Sequence, residues 1–203
     1  MFLSPLAVRD MYQQPFLPGF EPRLAIDFLF FALLPGEEDV PRIVRLRDRL
    51  CAEYGLRGQP IAPDMLHISL HNLGESDGLS RALIERAKQA AAALSVNPFD
   101  VVLDRAMSFV RKRNGSPFVL RAGNEVGLVT LYRSLGEAMK LAGFRGVASD
   151  FRPHMTLLYG DRVVKERPIE AVGWTVRDFV LVHSLRGRGQ SKYVHLARWP
   201  LRG

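Results

Sequence analysis

Seven segments of the chain are predicted to form strands, and in two of them apolar side chains alternate with polar ones, as in a half-buried strand. In residues 65–74, leucine and isoleucine alternate with His67, Ser69 and His71, which places three polar side chains on one face. Residues 152–160 alternate in the same way, with His154, Thr156 and Leu158 on one face. Strands are predicted at residues 24–34, 65–74, 99–110, 117–121, 152–160, 172–182 and 192–198.

Three further segments have the spacing of three to four residues that is typical of an amphipathic helix. They are predicted from about residue 38 to Gly55, over residues 79–94 and over residues 126–142. Pro41 suits the first turn of the first helix, where backbone amides have no partner in the helix. Gly143 suits the end of the third helix, because glycine accepts the left-handed conformation of a C-cap.

The order of these elements repeats along the chain. A strand, a helix and a strand with His-x-Ser are followed by two strands, a helix and a strand with His-x-Thr. This repeat indicates an old duplication, and it predicts two α+β lobes in which the two histidine strands are equivalent by a pseudo-twofold axis. Residues 1–22 contain four prolines without periodicity and are predicted to form an extended arm, and residues 23–203 a single bilobal domain.

Composition restricts the kind of protein further. A hydrophobic content of 47% excludes disorder, and a net charge of +7 suits a polyanionic partner. A single cysteine, Cys51, excludes a disulfide framework and a multi-cysteine metal cluster. The longest apolar stretch, residues 28–34, is far shorter than the ~20 residues of a membrane span. With no signal-peptide pattern in the first ten residues, we expect a cytoplasmic monomer without a membrane or protein partner.

Two of the five histidines lie in the same tetrapeptide pattern, histidine, any residue, serine or threonine, and an apolar residue. They are His67-Ile68-Ser69-Leu70 and His154-Met155-Thr156-Leu157. Residues i and i+2 of a strand share a face, so each motif would present one imidazole and one hydroxyl to a common cleft. With a pKa near 6.5, one imidazole can be neutral while the other is protonated, as metal-free acid and base catalysis at phosphorus requires. The hydroxyls would donate to non-bridging phosphate oxygens.

Simpler interpretations stand beside this one. His67 and His154 could be structural histidines with satisfied hydrogen bonds. His71, on the face of His67 in the alternating pattern, could line the cleft or be hydrogen-bonded at its rim. A zinc site built from His67, His71 and a carboxylate has suitable ligand types but lacks an obvious third ligand, so no metal site is predicted.

The two tetrapeptides, LHISL and PHMTL in their local context, resemble the motifs of the two-histidine (2H) phosphoesterases. Within that superfamily the chain is similar to the bacterial 2′-5′ RNA ligase, or RNA 2′,3′-cyclic phosphodiesterase, group, over roughly residues 23–200. The resemblance implies an α+β fold of two pseudo-symmetric lobes of antiparallel sheet, with helices on the outside and a cleft between the lobes.

The resemblance also implies roles for the motif residues. His67 would donate a proton to the leaving 3′-oxygen, His154 would activate water, and Ser69 and Thr156 would hold the phosphate. The product would be a 2′-phosphomonoester, and ATP-independent ligation of a 5′-hydroxyl to the cyclic phosphate would be the reverse reaction. No cofactor is implied. In two places the chain departs from the group: Ser69 stands where threonine is commoner, and Tyr159 stands where a basic residue is frequent.

The implied partner is RNA, or a nucleotide, with a 2′,3′-cyclic phosphate. Two basic segments, around the turn at residues 111–115 and in residues 184–192, are candidates to contact an RNA backbone, and Tyr159 could stack on a base. The candidate RNA-binding residues are Arg111, Lys112, Arg113, Tyr159, Arg186 and Arg188. Two alternatives remain: a phosphodiesterase for a small cyclic nucleotide of the ADP-ribose cyclic phosphate type, and a non-catalytic module that binds RNA ends.

Overall fold

The structure, a computed structural model, describes residues 26–76, 80–110, 115–123, 126–187 and 190–203. The predicted arm at residues 1–22 lies outside this part, and the limits of the predicted domain stay a prediction. The strands are β1 (Ile26–Leu33), β2 (Gly58–Pro60), β3 (Ile68–Ser76), β4 (Phe99–Ser108), β5 (Ser116–Ala122), β6 (His154–Gly160), β7 (Arg167–Val176), β8 (Asp178–Gly187) and β9 (Gln190–Pro200). The helices are α1 (Val40–Tyr54), α2 (Arg81–Ala92) and α3 (Val126–Leu141), with a 3₁₀ turn at Pro63–Met65. Among the described residues, no helix combines the length and apolar character needed to cross a membrane.

The strands form one open antiparallel sheet in the order β7-β4-β5-β6-β3-β1-β8-β9, with β2 paired to β6. The two histidine strands, β3 and β6, meet in the middle through the pair Ile68 and Met155. This junction divides the eight strands of that order into two halves of four, with β2 as an additional strand beside β6, and in each half the strand next to the histidine strand, β1 or β5, precedes it in the chain. The expectation of two pseudo-symmetric lobes is therefore confirmed. The second lobe is β4 to β7, while the C-terminal hairpin β8-β9 returns to complete the first lobe beside β1.

The helices cover one face of the sheet and bury the main core against it. α1 turns Ile43, Leu46 and Leu50 inward and ends at Gly55, whose φ of 61° is the left-handed conformation that glycine tolerates. The third helix follows β5 yet packs on β3, where the ring of Tyr132 stacks on His71 at 3.9 Å. Because the core lies on this side, the opposite face of the sheet carries the polar motif side chains.

A matching irregularity follows the hydroxyl residue of each histidine motif. In β3, two residues, Leu70 and His71, stand where β1 has one between the pairs Ala32–Ser69 and Phe30–Asn72. In β6, Leu157 is the extra residue between the pairs of β5 with Thr156 and Leu158. Each extra residue reverses the alternation that follows it, so the two residues after each hydroxyl residue are both buried. The expected faces of His71 and Leu158 were therefore wrong.

Two other predictions along the chain were wrong. Residues 172–182 are not one strand: β7 ends at Val176 and β8 begins at Asp178, and these two strands lie in different lobes. The alternation fails at Arg177 and Asp178, two consecutive polar residues, and this is a local sign of the break. Residues 184–192 are mostly paired strand rather than loop, since β8 extends to Gly187 and β9 starts at Gln190. The short strand β2 and the 3₁₀ turn were not predicted.

Candidate active site

The four motif side chains lie together on the face of the sheet opposite the helices. Ile68 and Met155, directly opposite each other and fully buried, point into the core. Extending this antiparallel pairing by one residue in each direction places His67 opposite Thr156 and Ser69 opposite His154. Two imidazoles and two hydroxyls therefore form a diagonal arrangement around the junction, with the histidines at opposite corners.

The imidazole of His67 is fixed on both ring nitrogens. Nδ1 lies 2.8 Å from the carbonyl oxygen of Met65, to which it donates its hydrogen. Nε2 lies 3.0 Å from the Ser69 hydroxyl, within the motif itself. The 3₁₀ turn at Pro63–Met65 ends just before the histidine and supplies the carbonyl. When His67 is neutral, its proton is therefore on Nδ1, and Nε2 faces the hydroxyl of Ser69.

The imidazole of His154 is held by the same kind of local hydrogen bond. Its Nδ1 lies 2.7 Å from the carbonyl oxygen of Arg152, two residues earlier, as Met65 is two residues before His67. Pro153 stands between them, and a residue that precedes proline is biased toward extended backbone. The arginine's own side chain is exposed and pairs with Asp150 at 3.7 Å. Both histidines therefore have Nδ1 committed to a backbone carbonyl, which leaves Nε2 as the atom for proton transfer.

The surroundings of the two histidines differ. The ring of His67 lies 5.2 Å from Phe30 and 5.4 Å from Tyr193, and these two aromatic rings also contact each other. Phe30 belongs to a small apolar cluster with Ala32, Val180 and Val182, separate from the main core. We call the pair of Phe30 and Tyr193 the aromatic wall of the site.

Charged side chains lie on the other side, beside His154. Its ring contacts Phe109 edge-on at 4.9 Å, and its partner in the neighbouring strand β5 is Arg121. Arg121 faces Arg105 in β4, and Glu166 lies between the two guanidinium groups, 3.0 Å from Arg105 and 3.7 Å from Arg121. The site is thus apolar and aromatic next to His67 and charged next to His154.

His71 does not belong to this site. It is buried on the helix side, where Nε2 donates to the carbonyl oxygen of Tyr132 at 2.8 Å and the two rings stack. Burial lowers the pKa of His71, and the charge of Lys140 lowers it further against the opposing effect of the hydrogen bond. His67 and His71 therefore face opposite sides of the sheet, and the zinc alternative loses its ligand pair. In the part of the chain that the structure describes, no group of three or more histidine, cysteine, aspartate or glutamate side chains is arranged for a metal.

The predicted RNA-contact residues are only partly described. Tyr159 is exposed near the end of β6, where it pairs with Pro117 of β5 and Gln59 of β2. Arg186 lies in β8, but its side chain is outside the described part. Arg111, Lys112, Arg113 and Arg188 also lie outside it. Phe151, which borders the second motif, stacks on Tyr132 at 4.0 Å.

Several residues at the site were missed by reasoning from the sequence. They are Phe30, Tyr193, Phe109, Arg121 and the carbonyl groups of Met65 and Arg152. Of these, only the two carbonyls carried a local signal, since each belongs to a residue two positions before a motif histidine, with a proline one or two positions away. The others reach the site through strand pairing between distant segments.

Comparisons with known proteins identify the family to which the chain belongs. The family model of the 2′-5′ RNA ligase superfamily matches residues 35–188. The RNA 2′,3′-cyclic phosphodiesterase of Escherichia coli strain K12 is 31% identical over 150 residues, which are 71% of this chain and 80% of that protein. The apo crystal structure of E. coli LigT has a TM-score of 0.71 at 27% identity, over 88% of this chain and 99% of that chain. The protein TT0787 of Thermus thermophilus, at 23% identity, shares the fold with a TM-score of 0.69, over 87% of this chain and 98% of its own. The chain belongs to the 2′-5′ RNA ligase superfamily.

Proposed function

We propose that the protein is an RNA 2′,3′-cyclic phosphodiesterase that opens the cyclic phosphate to a 2′-phosphomonoester without a metal ion. The observation that carries the proposal is the diagonal arrangement of two imidazoles and two hydroxyls on one face of the sheet, each imidazole held through Nδ1. The curated E. coli relative carries this activity in its name. E. coli LigT has also been solved in complex with 3′-AMP and with phosphate, which supports a nucleotide phosphate as the ligand.

In the proposed reaction, Nε2 of His154 accepts a proton from water as the water oxygen bonds to phosphorus. Protonated Nε2 of His67 donates its proton to the 3′-oxygen as the bond from phosphorus to that oxygen breaks. One histidine gains a proton and the other loses one, so exchange with solvent restores the starting state after turnover. Positions at opposite corners suit this chemistry because the attacking and leaving oxygens lie on opposite sides of the phosphorus.

The hydroxyls of Ser69 and Thr156 would hold the non-bridging oxygens, where negative charge develops. The Ser69 hydroxyl already forms a hydrogen bond of 3.0 Å with Nε2 of His67, so it can exchange this hydrogen bond for one to the phosphate without a large movement. The ribose that carries the leaving 3′-oxygen, and that stays bonded to phosphorus through its 2′-oxygen, would lie on the His67 side, against the aromatic wall. Ligation would run the same steps with a 5′-hydroxyl in the place of water next to His154, so that the 5′-oxygen bonds to phosphorus as the bond to the 3′-oxygen breaks.

The basic residues predicted to contact RNA, Arg111, Lys112, Arg113, Arg186 and Arg188, remain part of the proposal, together with Tyr159. A longer RNA would then bind more tightly than a mononucleotide, and its affinity would fall as salt rises.

The test is a short RNA ending in a 2′,3′-cyclic phosphate, incubated in EDTA with the wild type, His67→Ala and His154→Ala. We expect the wild type alone to form the 2′-phosphate. His195→Ala serves as the matched control, because His195 is an exposed histidine of β9 outside the four-residue arrangement. Wild-type inactivity, or full activity of either alanine variant, would contradict the proposal.

A further inference from the structure

The four motif side chains supply too little positive charge for the proposed reaction. The cyclic phosphate is an anion, and a second negative charge develops as the nucleophile adds. Against this the motifs offer two neutral hydroxyls, one neutral imidazole and one imidazolium that gives up its proton during the step. Tyr159 occupies the place at which a cation would follow the second motif, and its phenol carries no positive charge.

The strands next to the motifs show which residue could supply the charge. On the β1 side, Ser69 pairs with Ala32, which has no functional group. On the β5 side, Thr156 pairs with Val119 and His154 pairs with Arg121. Among these described partners of the motif residues, Arg121 is the charged one. Its Cβ therefore stands about 5 Å from that of His154, and a guanidinium on a three-carbon stem can reach a phosphate bound at Nε2 of the histidine.

Contacts with Glu166 and with Arg105 of the next strand, β4, hold this guanidinium on the active-site face of the sheet. Glu166 lies 3.7 Å from Arg121 and 3.0 Å from Arg105, and Asp104 lies 4.0 Å from Arg105, so Arg121 shares the Glu166 carboxylate with a second cation that has a further acidic partner. The side chain of Arg121 is 28% exposed, against 50% for Arg105, which means that its charge is less screened by water. An arginine restrained in this way loses little freedom when it binds an anion, and its planar fork can contact two phosphate oxygens at once.

We propose that Arg121 is a phosphate-binding residue of the active site, supplied from β5 to the cyclic phosphate held between His67 and His154. The inference rests on the proposed function for the identity of the substrate. It assigns to a neighbouring strand the charge neutralisation that neither motif provides.

The test compares Arg121→Met with Arg105→Met, a matched control that loses a guanidinium from the same carboxylate one strand farther from His154. The probes are inorganic phosphate and a mononucleoside 2′,3′-cyclic phosphate. For Arg121→Met we expect phosphate affinity to fall at least about tenfold and kcat to fall about 10²-fold, the size seen when a transition-state donor is removed. Arg121→Lys should recover part of both losses, because it restores the charge without the fork. Arg105→Met should stay within about threefold of the wild type in both assays.

The pH profile gives a readout that a purely structural role would not move. A cation beside His154 disfavours its protonation, so the acid limb of kcat/KM should shift to higher pH in Arg121→Met and stay in place in Arg105→Met. Equal behaviour of the two methionine variants would overturn the inference. Arg121→Gln is the second variant if Arg121→Met fails to fold, as judged by circular dichroism. A wild type that does not hydrolyse the cyclic phosphate would refute the proposed function, whereas the phosphate-binding arm would still decide the role of Arg121.

Discussion

Ile68 and Met155 face each other across the junction of β3 and β6, and both side chains are fully buried. This pair fixes the geometry of the site, because each residue lies between the histidine and the hydroxyl residue of its own motif. The apolar middle residue anchors the strand in the core while its two neighbours project from the other face. The pseudo-twofold axis passes through this pair, and for this reason the histidines are diagonal rather than adjacent.

The hydroxyls of the motifs should be required for turnover. We expect Ser69→Ala and Thr156→Val each to lower kcat by about 10²-fold, because a donor aimed at the developing phosphate charge is lost. Thr156→Ser keeps the hydroxyl and is the matched control, with an expected loss below about fivefold. Steady-state hydrolysis of a mononucleoside 2′,3′-cyclic phosphate measures these effects, and normal turnover by Thr156→Val would remove that residue from the mechanism.

The rate of hydrolysis should have a bell-shaped dependence on pH. One imidazole must be neutral and the other protonated, and the unperturbed pKa of histidine is about 6.5, so both limbs should lie near neutrality. The profile of kcat/KM from pH 5 to pH 9 in EDTA tests this expectation. A flat profile between pH 5 and pH 8 would argue against two working imidazoles.

The stability of the fold should fall as pH drops below about 6.5, in part through His71. Burial lowers the pKa of His71 in the folded state, so between that lowered pKa and the ordinary value of about 6.5 the unfolded chain binds the proton and the folded chain does not. Above the pKa that His71 has in the unfolded chain, this histidine does not reduce the free energy of unfolding. As pH falls through this window, the free energy of unfolding decreases.

Urea unfolding at pH 5, 6, 7 and 8 measures the effect. His71→Gln, whose amide can still donate to the Tyr132 carbonyl, should show a shallower loss of stability at low pH than the wild type. Although His195 is largely exposed, the desolvation that remains and the charge of Arg198 also lower its pKa, so His195→Ala should show a separate, smaller change in the same direction. An unchanged pH dependence in His71→Gln would show that this histidine is not responsible.

A methyl group at Gly136 should disturb the packing of α3 on β3. A Cβ there would lie 3.2 Å from both Cε1 and Nε2 of His71, whose hydrogen bond and stacked ring leave it little room to move. We expect Gly136→Ala to destabilise the protein by about 1 kcal/mol, because overpacking outweighs the better helix propensity of alanine. Thermal unfolding measures the change. In a His71→Ala background the same substitution should become stabilising, and persistence of the loss there would point to another cause.

The sequence by itself determined the local features of the site. Alternation with a period of two placed each histidine with its hydroxyl partner and put Ile68 and Met155 in the core, because side-chain direction along a strand depends on immediate neighbours alone. The repeated order of elements indicated two equivalent lobes. The helices were also predicted with nearly correct limits, since their apolar spacing and their glycine and proline signals are local.

Only the tertiary structure decided which distant segments meet. The return of β8 and β9 to the first lobe, the pairing of Arg121 with His154 and the contact of Tyr193 with His67 join residues far apart in the chain. The extra residue in β3 that buries His71 is likewise visible only against its partner strand. Strand pairing and register are set by the packing of the whole sheet on its helices, so local periodicity could give the chemistry of the two motifs but not the residues that surround them.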